Sequence, residues 1–436
     1  MIVLKGRILT DPSKKLKETK IFEKRMKSHH DSKGLIDKYV EKEQFTAEMF
    51  KELLDKKPDN RRKSIYVHTP YCDKICSFCN LNRKQLDGSL DEYAQYLADE
   101  FEKYGKTTYF KESKFEVIFF GGGTPTVYKP DQLEIILKAI QNNVKFTDEY
   151  EFTFETTLHN LSKHKLDVMM KYGVNRLSVG IQTFSERGRK FYNRTYGKEE
   201  TIKKLKDLKK YFKGDVCVDI IYNFPGETIA EVIEDAKIVK EIGLSSASFY
   251  SLMIHEGSKL SKAMDKDNII MEKGTKKDYL LYQHFVDEML KENTYHILEL
   301  TKIAKNNGDN YKYIKVRNSG GDTFPIGVGA GGGIQGVGVY RMSKDISFYS
   351  KTGDLSYRFS KLSGIMQFPE LPKETLKKIL TEKEYEYFVE RMEFYKENEL
   401  VTENENIYKL TKNGVYWGNN LSTDISSYIL EKIFKK

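Results

Sequence analysis

The sequence predicts an α/β chain built on a partial, six-stranded (β/α)6 barrel of parallel strands with helices outside. Three observations predict it. Between Ser64 and about residue 260, short apolar stretches alternate with longer amphipathic ones. The short stretches are rich in β-branched and aromatic residues and end at Gly, Pro or Asn. The unusual motifs of the chain fall just beyond those ends, where parallel α/β folds carry their chemistry.

The candidate strands are SIYVHTP (64–70), FEVIFFGGG (115–123), EFTFETT (151–157), RLSVGIQTF (176–184), DVCVDIIYNFPG (215–226) and ASFYSLMI (247–254). Helical patterns fill 91–104, 130–142, 161–172, 185–210 and 227–241. Six strands rather than eight favour an open barrel over a closed one. Ahead of them, residues 35–57 read as a charged helix within a basic helical extension, 1–62. The barrel is assigned to 63–260. A helix is expected over 276–292, then strands at TYHILELTKI and YKYIKVR, then the run PIGVGAGGGIQGVGVY. Residues 261–365 are therefore read as a barrel extension with a Gly-rich, substrate-side segment. From 366 to 436, helices precede LVTENENIYKLTKNGVYWGNN, which reads as two short strands and a Gly turn, a winged-helix-like α+β pattern.

A chain of 436 residues, 39% of them hydrophobic, supports two or three domains with a substantial core. No apolar run approaches the ~18–20 residues of a membrane span. The first residues lack the apolar core and cleavage site of a signal peptide. Four cysteines, three of them clustered, do not make a secreted disulfide framework. A soluble, cytoplasmic, monomeric protein is expected. The net charge is +9, and most of the excess sits in residues 1–63. Acids are interspersed there with the bases, so the segment reads as a solvated face and nucleic acid is not an expected partner.

The stretch YVHTPYCDKICSFCN holds Cys72, Cys76 and Cys79 just after the first strand. Structural zinc takes four protein ligands and would need His68 or the distant Cys217. An ordinary 4Fe–4S cluster also takes four cysteines. Three thiolates in a tight loop match a cluster with one iron left open, which can chelate an amine and a carboxylate. Cys217, inside a strand, reads as a small core residue. One strand later, FFGGGTPT supplies Gly121, Gly122 and Gly123, which let backbone approach a ligand closely.

On these residues the chain resembles the radical S-adenosylmethionine (SAM) enzymes. GGGTP, YVHTPYC, GIQTF and DIIYNFPGET resemble, within them, the oxygen-independent coproporphyrinogen III oxidases and their relatives, over about residues 64–260. The resemblance implies that Cys72, Cys76 and Cys79 hold a 4Fe–4S cluster whose open iron takes the methionine end of SAM. One electron then cleaves a C–S bond and gives a 5′-deoxyadenosyl radical. It further implies that Tyr66 and Phe78 flank the cluster and the adenine, and that Gly122, Gly123 and Thr124 contact SAM. Glu155 would accept a hydrogen bond from ribose or amine. Gln182, Arg194 and Asp219 match positions that bind a second SAM, so two SAM molecules are expected.

The run FPIGVGAGGGIQGVGVY resembles the haem-utilisation branch, the anaerobic haem-degrading radical SAM methyltransferases. That resemblance implies radical addition to the porphyrin, opening at a meso bridge, release of iron and a methylated linear tetrapyrrole, anaerobilin. A low-potential donor such as flavodoxin would feed the cluster, and basic residues would suit the haem propionates. Gly329, Gly331 and Gly332 would let backbone lie flat against the tetrapyrrole, or would simply form a tight turn. Of eight histidines, His255 is the first candidate for a haem contact. His284 and His296 are equally open, and His29, His30 and His159 are also present. Two alternatives stand beside this reading. One is a coproporphyrinogen III oxidase that decarboxylates propionates. The other is a haem chaperone without turnover, against which stands YKYIKVRNSGGDT, a segment with no histidine.

Overall fold

In the computed structural model, residues 22–27, 39, 43–79, 81–255, 258–266 and 275–434 are described. The six predicted strands form β1 (Lys63–Thr69), β2 (Phe115–Gly122), β3 (Phe146–Thr156), β4 (Arg176–Gln182), β5 (Asp215–Tyr222) and β6 (Ser246–Ser251). Each pairs in parallel with the next. A period of two divides their side chains. Phe152, Phe154, Leu177, Val179, Val216, Val218, Ala247 and Phe249 are buried in the main core with Leu133, Ile136, Leu205, Val232 and Val239 of the surrounding helices. The intervening Glu155, Ser178, Asp219 and Ser248 line an internal cavity. Each fully buried Leu, Val or Phe stabilises by roughly 1.5–3 kcal/mol. The barrel is thus held from outside, and its inner face is left free for polar groups.

The sheet runs on at both sides to thirteen strands. A hairpin of β7 (Tyr295–Glu299) and β8 (Lys302–Lys305) joins the β6 edge antiparallel through β8. At the other side β9 (Asp322–Ile326) pairs in parallel with β1, a seventh parallel strand beyond the six expected. The antiparallel strands β10 (Gly331–Ile334), β11 (Val337–Arg341), β12 (Ser347–Lys351) and Glu43–Gln44 follow.

Several elements differ from expectation. YKYIKVR is a helix, Lys312–Asn318, not a strand. Its buried residues Tyr313 and Val316 are three apart, the spacing of a helical face. Tyr313 stacks on Phe119 at 4.5 Å and on Tyr66 at 6.3 Å, filling the barrel interior beside β1 and β2. The helix expected over 185–210 is two, Glu186–Phe191 and Lys198–Tyr211. The break contains Asn193 at φ 53°, which lets the chain turn. Of the charged helix expected over 35–57, only Ala47–Leu54 is helical among the described residues, capped by Thr46 Oγ1. His29 and His30 lie outside the described residues. Toward the C-terminus, Glu370–Pro372, Val401–Glu403 and Ile407–Leu410 form a three-stranded sheet. The turn between its last two strands is Asn404–Asn406, and Gly414 sits inside the helix Lys412–Tyr416 instead.

At the N-terminal ends of the strands the barrel is closed by charge. Arg176 pairs with Asp309 through two hydrogen bonds of 2.9 and 2.8 Å, with both side chains buried. Asp309 also accepts from Ser246 Oγ at 2.5 Å and Cys217 Sγ at 3.2 Å. Cys217 is fully buried there, and burial pushes its thiol up. No described helix is long and apolar enough to cross a membrane.

Candidate active site

Strand β1 ends at Thr69, and a loop returns through Cys72, Cys76 and Cys79 to Lys84–Gln85, which pairs with Tyr71–Cys72. All three cysteines are free, Cys72 buried and the other two half-buried. The glycine turn after β2 pins this loop. Gly123 N–H donates to Thr69 O at 2.6 Å and Thr124 N–H to Tyr71 O at 2.8 Å. Thr124 Oγ1 reaches Cys72 Sγ at 3.5 Å. Gly122 has φ +105°, and a Cβ on Gly123 would lie 2.4 Å from Tyr71 O. The glycines therefore serve first to bring the two loops together.

Other elements grip the same loop. Arg83 donates to Cys79 O at 2.5 Å. His159 Nε2 lies 2.8 Å from Asp73 Oδ2, and Asn160 Nδ2 donates to Asp73 Oδ1 at 3.2 Å. Arg194, in the break after the helix Glu186–Phe191, approaches Cys76 Sγ at 3.4 Å and donates to Gly180 O at 2.5 Å. His68 is committed elsewhere. Its ring nitrogens meet Tyr66 O–H at 3.0 Å and Asn82 O at 2.9 Å.

The cysteines stand at one end of a cavity of about 430 Å³. Phe78, Gly122, Gly123, Thr124, Glu155, Gln182, Arg194, Asp219 and His255 line it with them. Tyr66 does not; it is stacked on Phe119 and Tyr313. Nor do Gly329, Gly331 and Gly332. Gly329 abuts Asn82 and His68, Gly331 faces outward in β10, and a Cβ on Gly332 would lie 2.1 Å from Thr323 O. Residues of the cavity that sequence reasoning missed include Ser178, Ser248, Lys302 and Tyr311. For the serines a signal existed, as polar residues at every second position of β4 and β6.

The cavity carries unmet polar capacity. Burial, and next the charge of Asp219, push Glu155 up to about 8, while Gly122 N–H at 3.3 Å pulls the other way. Ser178 Oγ donates to Asp219 at 3.0 Å. Gln182, at φ 66°, has a buried Oε1 without a partner, and Arg194 Nε is likewise buried and unpartnered. Buried groups of this kind are ordinarily satisfied, so they mark where a polar ligand belongs. Two acids, an amide and a guanidinium suit a molecule with an ammonium, a carboxylate and ribose hydroxyls.

The thiols fit a cluster better than a single ion. Among the described residues no three His, Cys, Asp or Glu groups converge closely enough for one metal. A polynuclear cluster takes thiolates on separate irons, farther apart than around one zinc. Burial pushes Cys72 and Cys79 up, so iron must displace their protons on binding. The three cysteines would hold a 4Fe–4S cluster, and Glu155, Gln182, Arg194 and Asp219 would hold SAM.

Residues 66–239 match the family model of the radical SAM superfamily. Anaerobilin synthase of Escherichia coli O157:H7 is 24% identical over 298 residues, 68% of this chain and 66% of that protein. Heme chaperone HemW of Lactococcus lactis is 28% identical over 308 residues, 68% of this chain and 76% of that protein. The solved coproporphyrinogen III oxidase of Escherichia coli superposes with a TM-score of 0.73 at 19% identity, covering 90% of this chain and 98% of that one, a likeness of fold. The three-cysteine loop, the glycine turn and strands β2 to β5 of the parallel half-barrel all lie within residues 66–239, the part of the chain that matches the radical SAM superfamily.

Proposed function

We propose that this protein degrades haem without oxygen, opening the porphyrin and releasing iron and a methylated linear tetrapyrrole. The observation that carries the reading is the extent of the cavity. It runs from the three thiols past Glu155 and Asp219 to His255, Tyr250 and Lys302, with aromatic and basic groups among its walls. The likeness to anaerobilin synthase supports it, because 298 matched residues extend beyond the radical SAM domain.

When bound and reduced, the cluster supplies the electron that breaks a C–S bond of SAM. The chain's own residues prepare that event. Arg194 holds the loop at Cys76 and keeps one N–H for a carboxylate. Glu155 and Asp219 orient ammonium or hydroxyl donors, and Phe78, packed edge-on against Tyr192 at 5.2 Å, limits water on the cluster side. A second SAM would supply the transferred carbon. A low-potential flavodoxin-like donor would supply the electron.

Heme chaperone HemW, at 28% identity, favours a second reading, haem carriage without turnover. One experiment separates them. Protein reconstituted without oxygen is given SAM, a strong reductant and haem. Degradation predicts bleaching of haem absorption, ferrous iron and a methylated open-chain product by mass spectrometry. Tight haem binding without SAM consumption would support carriage instead. Carbon dioxide from coproporphyrinogen III would mark an oxidase. Cys76→Ala abolishes both reactions and spares simple haem binding.

A further inference from the structure

Lys302 comes from β8, outside the parallel strands, yet its side chain lies inside the barrel and is 2% exposed. Register explains how. Glu155 stands opposite Ser178, Asp219 opposite Ser248, and Ser248 opposite Lys302. Ser178 Oγ bonds to Asp219, and Lys302 Nζ donates to Ser248 Oγ at 2.5 Å. The five side chains form one polar row across four neighbouring strands and β3, all lining the cavity. Two carboxyl groups occupy one side of the row and an ammonium its far end.

That ammonium is unusually placed. Among the described residues its one hydrogen-bond acceptor is Ser248 Oγ, out of three N–H donors available. No described carboxylate lies within ion-pairing distance. Glu155, Glu299 and Asp309 are near enough to feel its charge, but Glu155 accepts from Gly122 N–H, Glu299 from Thr301, and Asp309 is committed to Arg176 and Ser246. Lys302 Nζ stands 4.7 Å from the centre of the Tyr311 ring, whose other cation is Arg176 at 4.6 Å. Tyr311 itself sits at φ 42°, a conformation held by its N–H bond to Asp309 at 2.8 Å. A bond to Ser248 alone would need no charge, since an amide or hydroxyl would make it. Burying an ammonium with no carboxylate paired directly to it is costly, so the charge points to a use.

We infer that Lys302 anchors a carboxylate subsite at the cavity floor. The ligand group is a carboxylate, borne either by the amino-acid end of a SAM molecule or by a propionate of a tetrapyrrole. Only the second source rests on the function proposed above. Geometry supports the class. The row offers acids for a cationic or hydroxyl-bearing part of a ligand and, two strands beyond Asp219, a cation for its acidic part.

The test is equilibrium binding to the anaerobically reconstituted full chain, comparing the protein with Lys302→Met and Lys302→Arg. The probes are SAM, its decarboxylated analogue, haem and haem dimethyl ester. Lys302→Met is expected to weaken one carboxylate-bearing probe by about tenfold or more, the effect of one charge-assisted hydrogen bond. The matching probe without the carboxylate is expected to bind both proteins alike, and Lys302→Arg to restore part of the affinity. Discrimination within the SAM pair assigns the amino-acid carboxylate; discrimination within the haem pair assigns the propionate. Only the part of each difference that Lys302→Met removes counts, because the SAM carboxylate would also meet the cluster's open iron and Arg194. Binding of all four probes left unchanged by Lys302→Met overturns the subsite. Failure of haem turnover with a persisting Lys302 effect on SAM would sink the proposed function and leave the subsite standing.

Discussion

Arg25 places its guanidinium 2.6 Å from Asp278 Oδ1, across 253 residues of sequence. The same guanidinium lies 4.0 Å from the centre of the Tyr416 ring and donates to Tyr416 O at 3.0 Å. Tyr416 O–H donates in turn to Asp278 at 3.0 Å. Asn420 holds the neighbouring backbone, accepting from Met26 N–H at 2.8 Å. One buried ion pair thus joins the residues before the barrel, the helix Thr275–Leu290 and the C-terminal helices. Arg25→Ala leaves Asp278 without its main counter-charge. The expected loss is about 3 kcal/mol, read as a lower urea midpoint, with Lys27 at 3.4 Å compensating too weakly to abolish it.

Glu155 gives a pH signature. Its carboxyl is pushed from 4.5 up to about 8, first by burial and then by Asp219. Between those values the folded protein keeps a proton that the unfolded chain has released. This contribution to stability is therefore complete below about pH 4.5 and is lost as pH rises through about 8. The slope is at most about 1.4 kcal/mol per pH unit. Unfolding midpoints between pH 5 and 9, without SAM, should fall less steeply for Glu155→Gln than for the unsubstituted protein. Asp219→Asn should move the fall to lower pH.

Gly122 tests the turn that meets the cysteine loop. At φ +105° an alanine is strained, and its Cβ would lie 2.5 Å from His68 Cε1. Gly122→Ala should cost about 2 kcal/mol or more and lower the iron retained after reconstitution. Combining it with His68→Ala removes the clash but not the strain. The double variant should therefore regain only part of the loss, measured as a non-additive term in a double-mutant cycle.

The four cysteines should separate cleanly. Cys72→Ala, Cys76→Ala and Cys79→Ala are each expected to lose the iron–sulfur absorption and most of the bound iron. Cys217→Ser keeps a donor for Asp309 at a site away from the cavity lining. Its iron-to-protein ratio should be unchanged.

The sequence made β3 to β6 readable because inward and outward positions alternate strictly, as in Thr153, Phe154, Glu155 or Leu177, Ser178, Val179. The cysteine loop and the glycine turn were readable because their local spacing already carries the chemistry. Lys302 was not. In ELTKIAK it reads as an ordinary strand lysine, and only its register against Ser248, 54 residues earlier, turns it inward. Tyr66 failed for a related reason. A helix 247 residues later supplies Tyr313, which covers it, and Y-K-Y-I-K-V had the alternation of a strand. The glycine run was legible as backbone in close approach. Its neighbours proved to be His68 O, Asn82 and Thr323 O at Gly327, Gly329 and Gly332.

The Arg176–Asp309 pair stoppers the barrel at the end opposite the cysteines. A blind-ended vessel imposes a queue. Whatever settles deepest must arrive first and depart last, so steady-state inhibition by products should follow an ordered rather than a random pattern. The enzyme's kinetic sequence would then be written in its masonry, with the last molecule out being the first that went in.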